Sequence, residues 1–298
     1  MKIFGGIEAG GTKFICGIGT CPDDLAAVSF PTASPGETVG KAIGFFRERV
    51  EDGLVAIGIG SFGPIERHPG SDGYGYITNT PKPEWQNYDF VGTISRALTI
   101  PVAFDTDVNA AALAESRWGA AQGVDNFVYL TVGTGIGGGV LVNGQLLHGL
   151  MHPEMGHIRV PHDFQDDPFP GNCPFHKDCL EGLASGHAIK SRWEQDPKDL
   201  PPDHPAWNLE AHYLALALST WVCTLSPQRI VLGGGVMQRP SLFPMIQQQL
   251  RDLLGGYLPN RLLSEDVKYV VPPALKGYSG VLGAILLGEQ AYLTNRAI

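Results

Sequence analysis

A strand that runs into a glycine turn and out into a second strand occurs twice in this chain. The first copy lies at residues 7–12 within KIFGGIEAGGTKFICGIG, the second at 132–139 within FVYLTVGTGIGGGVLVNG. Short apolar runs bounded by glycine read as buried strands. Each copy is followed by further strand and helix signals. After the first come LVAIGIGSFG and PVAFDTD as strands and VNAAALAESRWGAA as a helix. After the second come the helix WNLEAHYLALALSTWVCTL, the strand RIVLGGG and the helix SGVLGAILLGEQAYL. Alternation of this kind predicts an α/β fold, here with duplicated halves that set two glycine turns across a cleft. The division is expected near residue 110. That gives an N-terminal lobe over 1–110 and a C-terminal lobe over 111–279, with a last helix over about 280–298 packing back on the first lobe.

The glycine turns suit phosphate. Residues 133–138, GTGIGG, match G-x-G-x-x-G in form. A dinucleotide fingerprint must open a helix, whereas VLVNGQ continues as a hairpin arm, with Asn143-Gly144 as its two-residue turn. A nicotinamide site is therefore rejected. Glycines in such a turn still expose backbone N–H groups to phosphate oxygens, and Thr134 adds a hydroxyl. The first turn, EAGGTK, adds Thr12 and the point charge of Lys13. One turn alone is equally well a plain hairpin. Two of them, with a third glycine run at 233–235, favour phosphate.

Composition removes several classes of partner. The chain has 298 residues, 43% of them hydrophobic, and a net charge of −9. The negative charge argues against nucleic acid and anionic membrane surfaces. No apolar run approaches the ~20 residues of a membrane span. The start, MKIFGGIEAGG, reads as a strand and not as a signal peptide, so a cytoplasmic address is expected.

Of five cysteines, Cys16, Cys21 and Cys223 read as reduced thiols. Cys173 and Cys179 differ because His176 stands between them in CPFHKDC. His152 or His157, both in HPEMGH, would complete a set of four. Two thiolates with two imidazoles make a closed, structural zinc site. HPEMGH is not H-E-x-x-H, because Glu154 is not adjacent to the first histidine, so a zinc protease is disfavoured.

Two acids, Asp105 and Asp107, flank Thr106 where PVAF gives way to an alanine-rich helix. A carboxylate there serves as a general base or as a cap favoured by the helix dipole. Local sequence does not choose between the two acids. Asn109 shares the pocket or caps the helix.

The segments GGIEAGGTKF, GIGSFGPI, FDTDVNAAALAE, TVGTGIGGGV, HPEMGH, CPFHKDCLEGLASG and IVLGGGVM, in this order, resemble the ROK-family sugar kinases. The zinc-containing bacterial fructokinases are the nearest branch. The resemblance implies a two-lobed actin-like ATPase (ribonuclease H-like) fold with ATP and sugar in the cleft. It implies transfer of phosphate to a hexose, preferentially D-fructose, giving the 6-phosphate. Asp107 matches the catalytic base. Gly63, Thr106, Asn109, Glu154, His157 and Glu181 match the sugar side. Gly10, Gly11, Thr12, Lys13, Gly133, Thr134 and Gly135 match the phosphate turns. His187, Gly233, Gly234, Gly235, Val236 and Met237 match the nucleoside side.

His157 also matches a zinc ligand, completing Cys173, His176 and Cys179. Glu8 stands where many members carry the aspartate that helps hold hydrated magnesium. Thr106 stands where many hexose-selective members carry asparagine, which turns the expectation away from glucose. The implied cofactors are structural zinc and magnesium with ATP. The implied partners are ATP, a hexose and a second copy of the chain. The competing expectations are a kinase for glucose, mannose or an N-acetylated hexosamine, and a non-catalytic sugar-sensing or sugar-binding member. Family repressors place a helix-turn-helix ahead of the first phosphate strand, which here begins at residue 3.

Overall fold

The computed structural model describes residues 2–258 and 269–294. The chain forms two compact units. Unit 1 comprises residues 1–122, 146–152 and 274–298, and unit 2 comprises 123–145 and 153–273.

Unit 1 begins with β1 (Ile3–Ala9), β2 (Lys13–Gly19), β3 (Ala26–Pro31), α1 (Pro35–Val50) and β4 (Leu54–Ser61). The short pair β5 (Tyr76–Ile77) and β6 (Tyr88–Asp89) follows, then α2 (Phe90–Leu98), β7 (Val102–Thr106) and α3 (Asp107–Trp118). Its main sheet has the order β3-β2-β1-β4-β7. β1 runs antiparallel to β2 and parallel to β4.

Unit 2 carries β8 (Phe127–Val132), β9 (Ile136–Val142), β10 (Gln145–Leu146), α4 (Leu180–Ala184), α5 (Gly186–Trp193) and α6 (Ala206–Leu225). It continues with β11 (Arg229–Gly233), α7 (Leu242–Leu254) and β12 (Val270–Val271). The sheet order is β10-β9-β8-β11-β12, with β8 antiparallel to β9 and parallel to β11. Counted within each main sheet, both orders run third, second, first, fourth, fifth. The duplication expected from the glycine turns is present. Asn143 and Gly144 both take positive φ, at 52° and 72°, as the two-residue turn requires.

The last helix, α8 (Ser279–Thr294), belongs to unit 1. Residues 295–298 of the expected helix lie outside the described residues. The expected division near residue 110 is corrected, because it would cut α3. That helix packs on α8 so closely that a methyl group on Gly283 would fall on the Ala110 carbonyl oxygen. Glu115 of α3, buried, then fixes the start of α8. Its carboxylate accepts from the backbone N–H of Ala274 at 3.0 Å and from Ser279 Oγ at 2.6 Å.

α8 is apolar on nearly every side and lies against the sheet, as such a helix must. Glycines in the strands let it approach. A Cβ on Gly6 would stand 2.5 Å from the Val281 carbonyl oxygen. One on Gly58 would fall on the Ala284 carbonyl oxygen and 2.6 Å from Gly288 N. Part of the glycine content thus serves helix-on-sheet contact and not turns. Gly58→Ala is expected to lower stability by about 2–4 kcal/mol, because both partners are backbone and cannot swing aside. Chemical denaturation of the variant checks this, and an unchanged midpoint would refute it.

Each unit has its own core. Phe14, Phe46, Trp85 and Phe90 centre that of unit 1. Leu130, Leu214, Leu218 and Ile246 lie in that of unit 2. Among the described residues, no helix is long and apolar enough to cross a membrane.

Candidate active site and metal centre

β7 delivers Asp105 and Thr106, and α3 begins at Asp107. The cap of α3 is Thr106, whose Oγ1 accepts from Asn109 N at 3.1 Å. Neither acid is needed for that task. Asp105 is buried and fully engaged. Its Oδ1 accepts from Thr106 N at 2.8 Å and from Asn109 Nδ2 at 2.7 Å. Its Oδ2 accepts from His148 Nε2 at 2.8 Å, with Arg67 Nε 3.6 Å away. Burial alone would raise the Asp105 pKa. The hydrogen bonds and charge of His148, with the bonds from Asn109 and Thr106 N, outweigh it and hold the carboxyl below its usual range.

Asp107 is in the opposite condition. Val108 N donates to its Oδ1 at 2.9 Å. Burial lifts its pKa to about 6, and backbone hydrogen bonds only partly oppose this. A carboxylate poised near neutrality accepts a proton better than one whose lone pairs are filled. The two acids are thus electrostatically distinct: His148, Asn109 and Thr106 N hold Asp105 as an anion, while Asp107 keeps a raised proton affinity.

Glu8 is the next-to-last residue of β1, and its Oε2 accepts from Val281 N in the first turn of α8 at 3.1 Å. Burial, then the charge of Asp107, raise its pKa to about 7, against the pull of Lys13 and Val281 N. A buried carboxylate whose proton affinity is raised further by a neighbouring acid suits a divalent cation, which relieves the repulsion. Glu8 therefore fits the place expected beside magnesium. The first glycine turn closes through Gly10 N donating to Lys13 O at 3.0 Å, with Thr32 Oγ1 donating to Gly10 O at 2.7 Å. Thr12 and Lys13 stay exposed. Gly63 lies against the His152 ring.

In unit 2, His157, Cys173, His176 and Cys179 converge, with their ligand atoms all within 4.8 Å of one another. The two Nδ1 atoms are 3.3 Å apart. Cys173 Sγ lies 3.7 Å from His157 Nδ1 and 3.8 Å from His176 Nδ1. Cys179 Sγ lies 3.6 Å from His157 Nδ1. A tetrahedral ion bonded at about 2.3 Å to sulfur and about 2.0–2.1 Å to nitrogen sets its ligand atoms about 3.3–3.8 Å apart. The four residues fit such an ion. His176 N also donates to Cys173 Sγ at 3.4 Å, which favours a thiolate there. His152 takes no part. It is buried in unit 1, where its Nε2 accepts from Ile65 N at 3.2 Å.

The cluster leads directly into the second glycine turn. Cys179 is the residue before α4, and Glu181 stands in that helix's first turn. Glu181 Oε2 accepts from Ile136 N at 2.8 Å, and a methyl on Gly135 would meet it at 2.5 Å. Gly186 N, opening α5, donates to Gly133 O at 2.7 Å. Thr134 stands in that turn, and His187 is exposed at the start of α5. Glu154 precedes a 3-10 turn over Met155–His157, and its carbonyl accepts from His157 N at 3.0 Å. Gly234 has a φ of 93°, and a Cβ there would collide with Val132. Gly233 ends β11, and Gly235 has open space beside it. Val236 and Met237 are buried in the core of unit 2, so their side chains are packing groups.

Known proteins bear on both units at once. The chain is similar to a Bacillus subtilis protein described provisionally as a fructokinase. The two are 47% identical over 297 residues, spanning 99% of this chain and 98% of that one. It is also similar to a fructokinase of Zymomonas mobilis, 43% identical over 297 residues and 97% of each chain. The crystal structure of the ROK hexokinase from Thermus thermophilus matches with a TM-score of 0.77 at 30% identity, over 99% of this chain and 100% of that one. The two like-ordered sheets are accordingly those of the actin-like ATPase fold. The ROK family description matches residues 4–291, a span that holds the acids of unit 1 and the Cys/His cluster of unit 2 alike, and the chain belongs to the ROK family.

Proposed function

We propose that this protein transfers the γ-phosphoryl group of ATP to a hexose, D-fructose in preference to glucose, giving the 6-phosphate. The observation that carries the reading is the division of labour between the two acids at the start of α3. Asp105 is a bonded anion, while Asp107 keeps a proton affinity near neutrality. In the reaction the sugar oxygen attacks the γ-phosphorus, the bond from that phosphorus to the bridging oxygen breaks, and ADP leaves. The hydroxyl proton passes to Asp107. Magnesium, when bound with ATP, supplies charge neutralisation for the transferring group. Glu8 is the residue suited to stand near it. The backbone N–H groups of the turns at Gly10–Lys13 and Gly133–Gly135 are suited to phosphate oxygens.

Fructose is favoured by the names of the similar full-length proteins and by Thr106. Its side chain is spent on capping α3, so it does not replace an asparagine amide. The ion in the Cys/His cluster is read as zinc, since two thiolates and two imidazoles select it over oxygen-seeking magnesium. Four protein ligands leave no open position, so its role is structural. Glu154, His157 and Glu181 are the residues of unit 2 assigned to sugar hydroxyls.

A coupled assay with ATP and a panel of hexoses tests the reading. The expected result is a kcat/KM for fructose at least ~10-fold above that for glucose, a discrimination of the size that a pocket contact supplies. Glucose preference would overturn the choice of sugar, and no turnover on any hexose would overturn the kinase.

A further inference from the structure

His148 lies in LLHGLM, between β10 and HPEMGH. Its Nε2 faces Asp105 Oδ2 at 2.8 Å. A ring nitrogen facing a carboxylate carries the proton, so His148 donates. Asn109 Nδ2 lies 3.3 Å from the same nitrogen, but it too is a donor. Both donors therefore converge on Asp105, one on each oxygen. Arg67 Nε, 3.6 Å from Oδ2, makes no hydrogen bond to it.

The two oxygens of Asp105 thus have different duties. Oδ1 holds α3 through Thr106 N and Asn109 Nδ2. Asn109 is held a second time, through its own N–H to Thr106 Oγ1. Asp107 stands between these two clamped residues. Oδ2 is held by His148. The segment that carries His148 is fixed again by His152, whose Nε2 accepts from Ile65 N at 3.2 Å. Between these two histidines Leu150 is fully exposed and Met151 nearly half-exposed. Apolar packing of those side chains therefore does not place the segment.

We propose that His148 is a positioning residue for the base. By donating to Asp105 it completes the anion that clamps Thr106 and Asn109, and so fixes the first turn of α3 from which Asp107 is presented. The inference rests on reading Asp107 as the acceptor of the sugar proton.

The test compares His148→Ala and His148→Gln with the wild type. The glutamine amide can donate at nearly the reach of Nε2. Three quantities are read: kcat with fructose, KM for ATP, and hydrogen exchange of the Val108 and Asn109 amides in the substrate-free protein. In His148→Ala, kcat is expected to fall ~10- to 100-fold, the size of a small misplacement of a reacting group. KM for ATP should stay within about twofold, and both amides should exchange faster. His148→Gln should recover most of the rate and of the protection. Unchanged kcat in His148→Ala would overturn the proposal. So would a glutamine variant as poor as alanine, or a lost rate with unchanged exchange, which would mean direct contact with substrate. If the wild-type protein does not phosphorylate fructose, the functional reading fails by itself, and amide exchange still decides whether His148 orders this turn.

Discussion

Asp107→Ala is expected to lower kcat by ~10²–10⁴-fold, the range set by loss of a positioned general base. Binding of ATP and sugar should survive, because the fold of α3 does not depend on this side chain. Thr106 supplies the cap, and Asp105 and Asn109 hold the first turn. The wild-type pH profile gives an independent check. Burial raises the Asp107 carboxyl to about 6, so it stays protonated to higher pH than an ordinary aspartate. A protonated carboxyl cannot accept the hydroxyl proton. kcat/KM for the free enzyme should therefore be full above this value and fall about tenfold per unit as the pH drops below it. Near-normal turnover of Asp107→Ala with both substrates bound would remove the assignment, as would a profile that stays flat down to the usual aspartate range.

The choice between the two acids shows where sequence reading stops. FDTDVN announces a polar helix start after an apolar strand, and the repeated glycine turns announce two like halves. Both signals are local, because strand period and turn chemistry are written in adjacent residues. The difference between Asp105 and Asp107 is not local. It comes chiefly from His148, which reaches Asp105 from a segment remote in sequence. For the same reason spacing alone left the fourth member of the Cys/His cluster between His152 and His157, and only the resemblance pointed to His157. His152 and His157 share one hexapeptide, yet the chain assigns them to different units. Gly6 and Gly58 carried no sign that a helix from the other end of the chain would press on them. The boundary misplaced near residue 110 has the same origin, since α3 reads as an independent helix until α8 is seen against it.

Removal of the ion from the Cys/His cluster should have the second large effect, and it should act mainly on sugar. Protein purified without added metal is expected to hold about one equivalent of zinc, the stoichiometry of a closed four-ligand site. The middle of the stretch between His157 and Cys179 is held by Val160 in the core of unit 2 and by Asp167, which accepts from Arg192 and Tyr213, so the segment 173–179, with Phe175 exposed, is the part that depends on the four ligands. Cys179→Ser removes one thiolate and weakens the cap region of α4, two residues before Glu181. Both His157 and Glu181 then lose their placement, and Glu154, three residues before His157, follows. KM for fructose is expected to rise ~10- to 100-fold, in line with the loss of several oriented hydrogen bonds.

KM for ATP should rise less. Glu181 does support Ile136 N, but the second glycine turn is also held by Gly186 N on Gly133 O, which does not depend on the ion. Cys223→Ser, at an exposed thiol outside the cluster, is the control and should leave zinc content and both constants unchanged. Limited proteolysis should cut the stripped protein within 173–179 while both cores stay folded, because those cores draw on no residue of that segment. Active protein holding less than about a tenth of an equivalent of zinc would refute the structural role, since a closed site that orders its loop must be filled in the working enzyme.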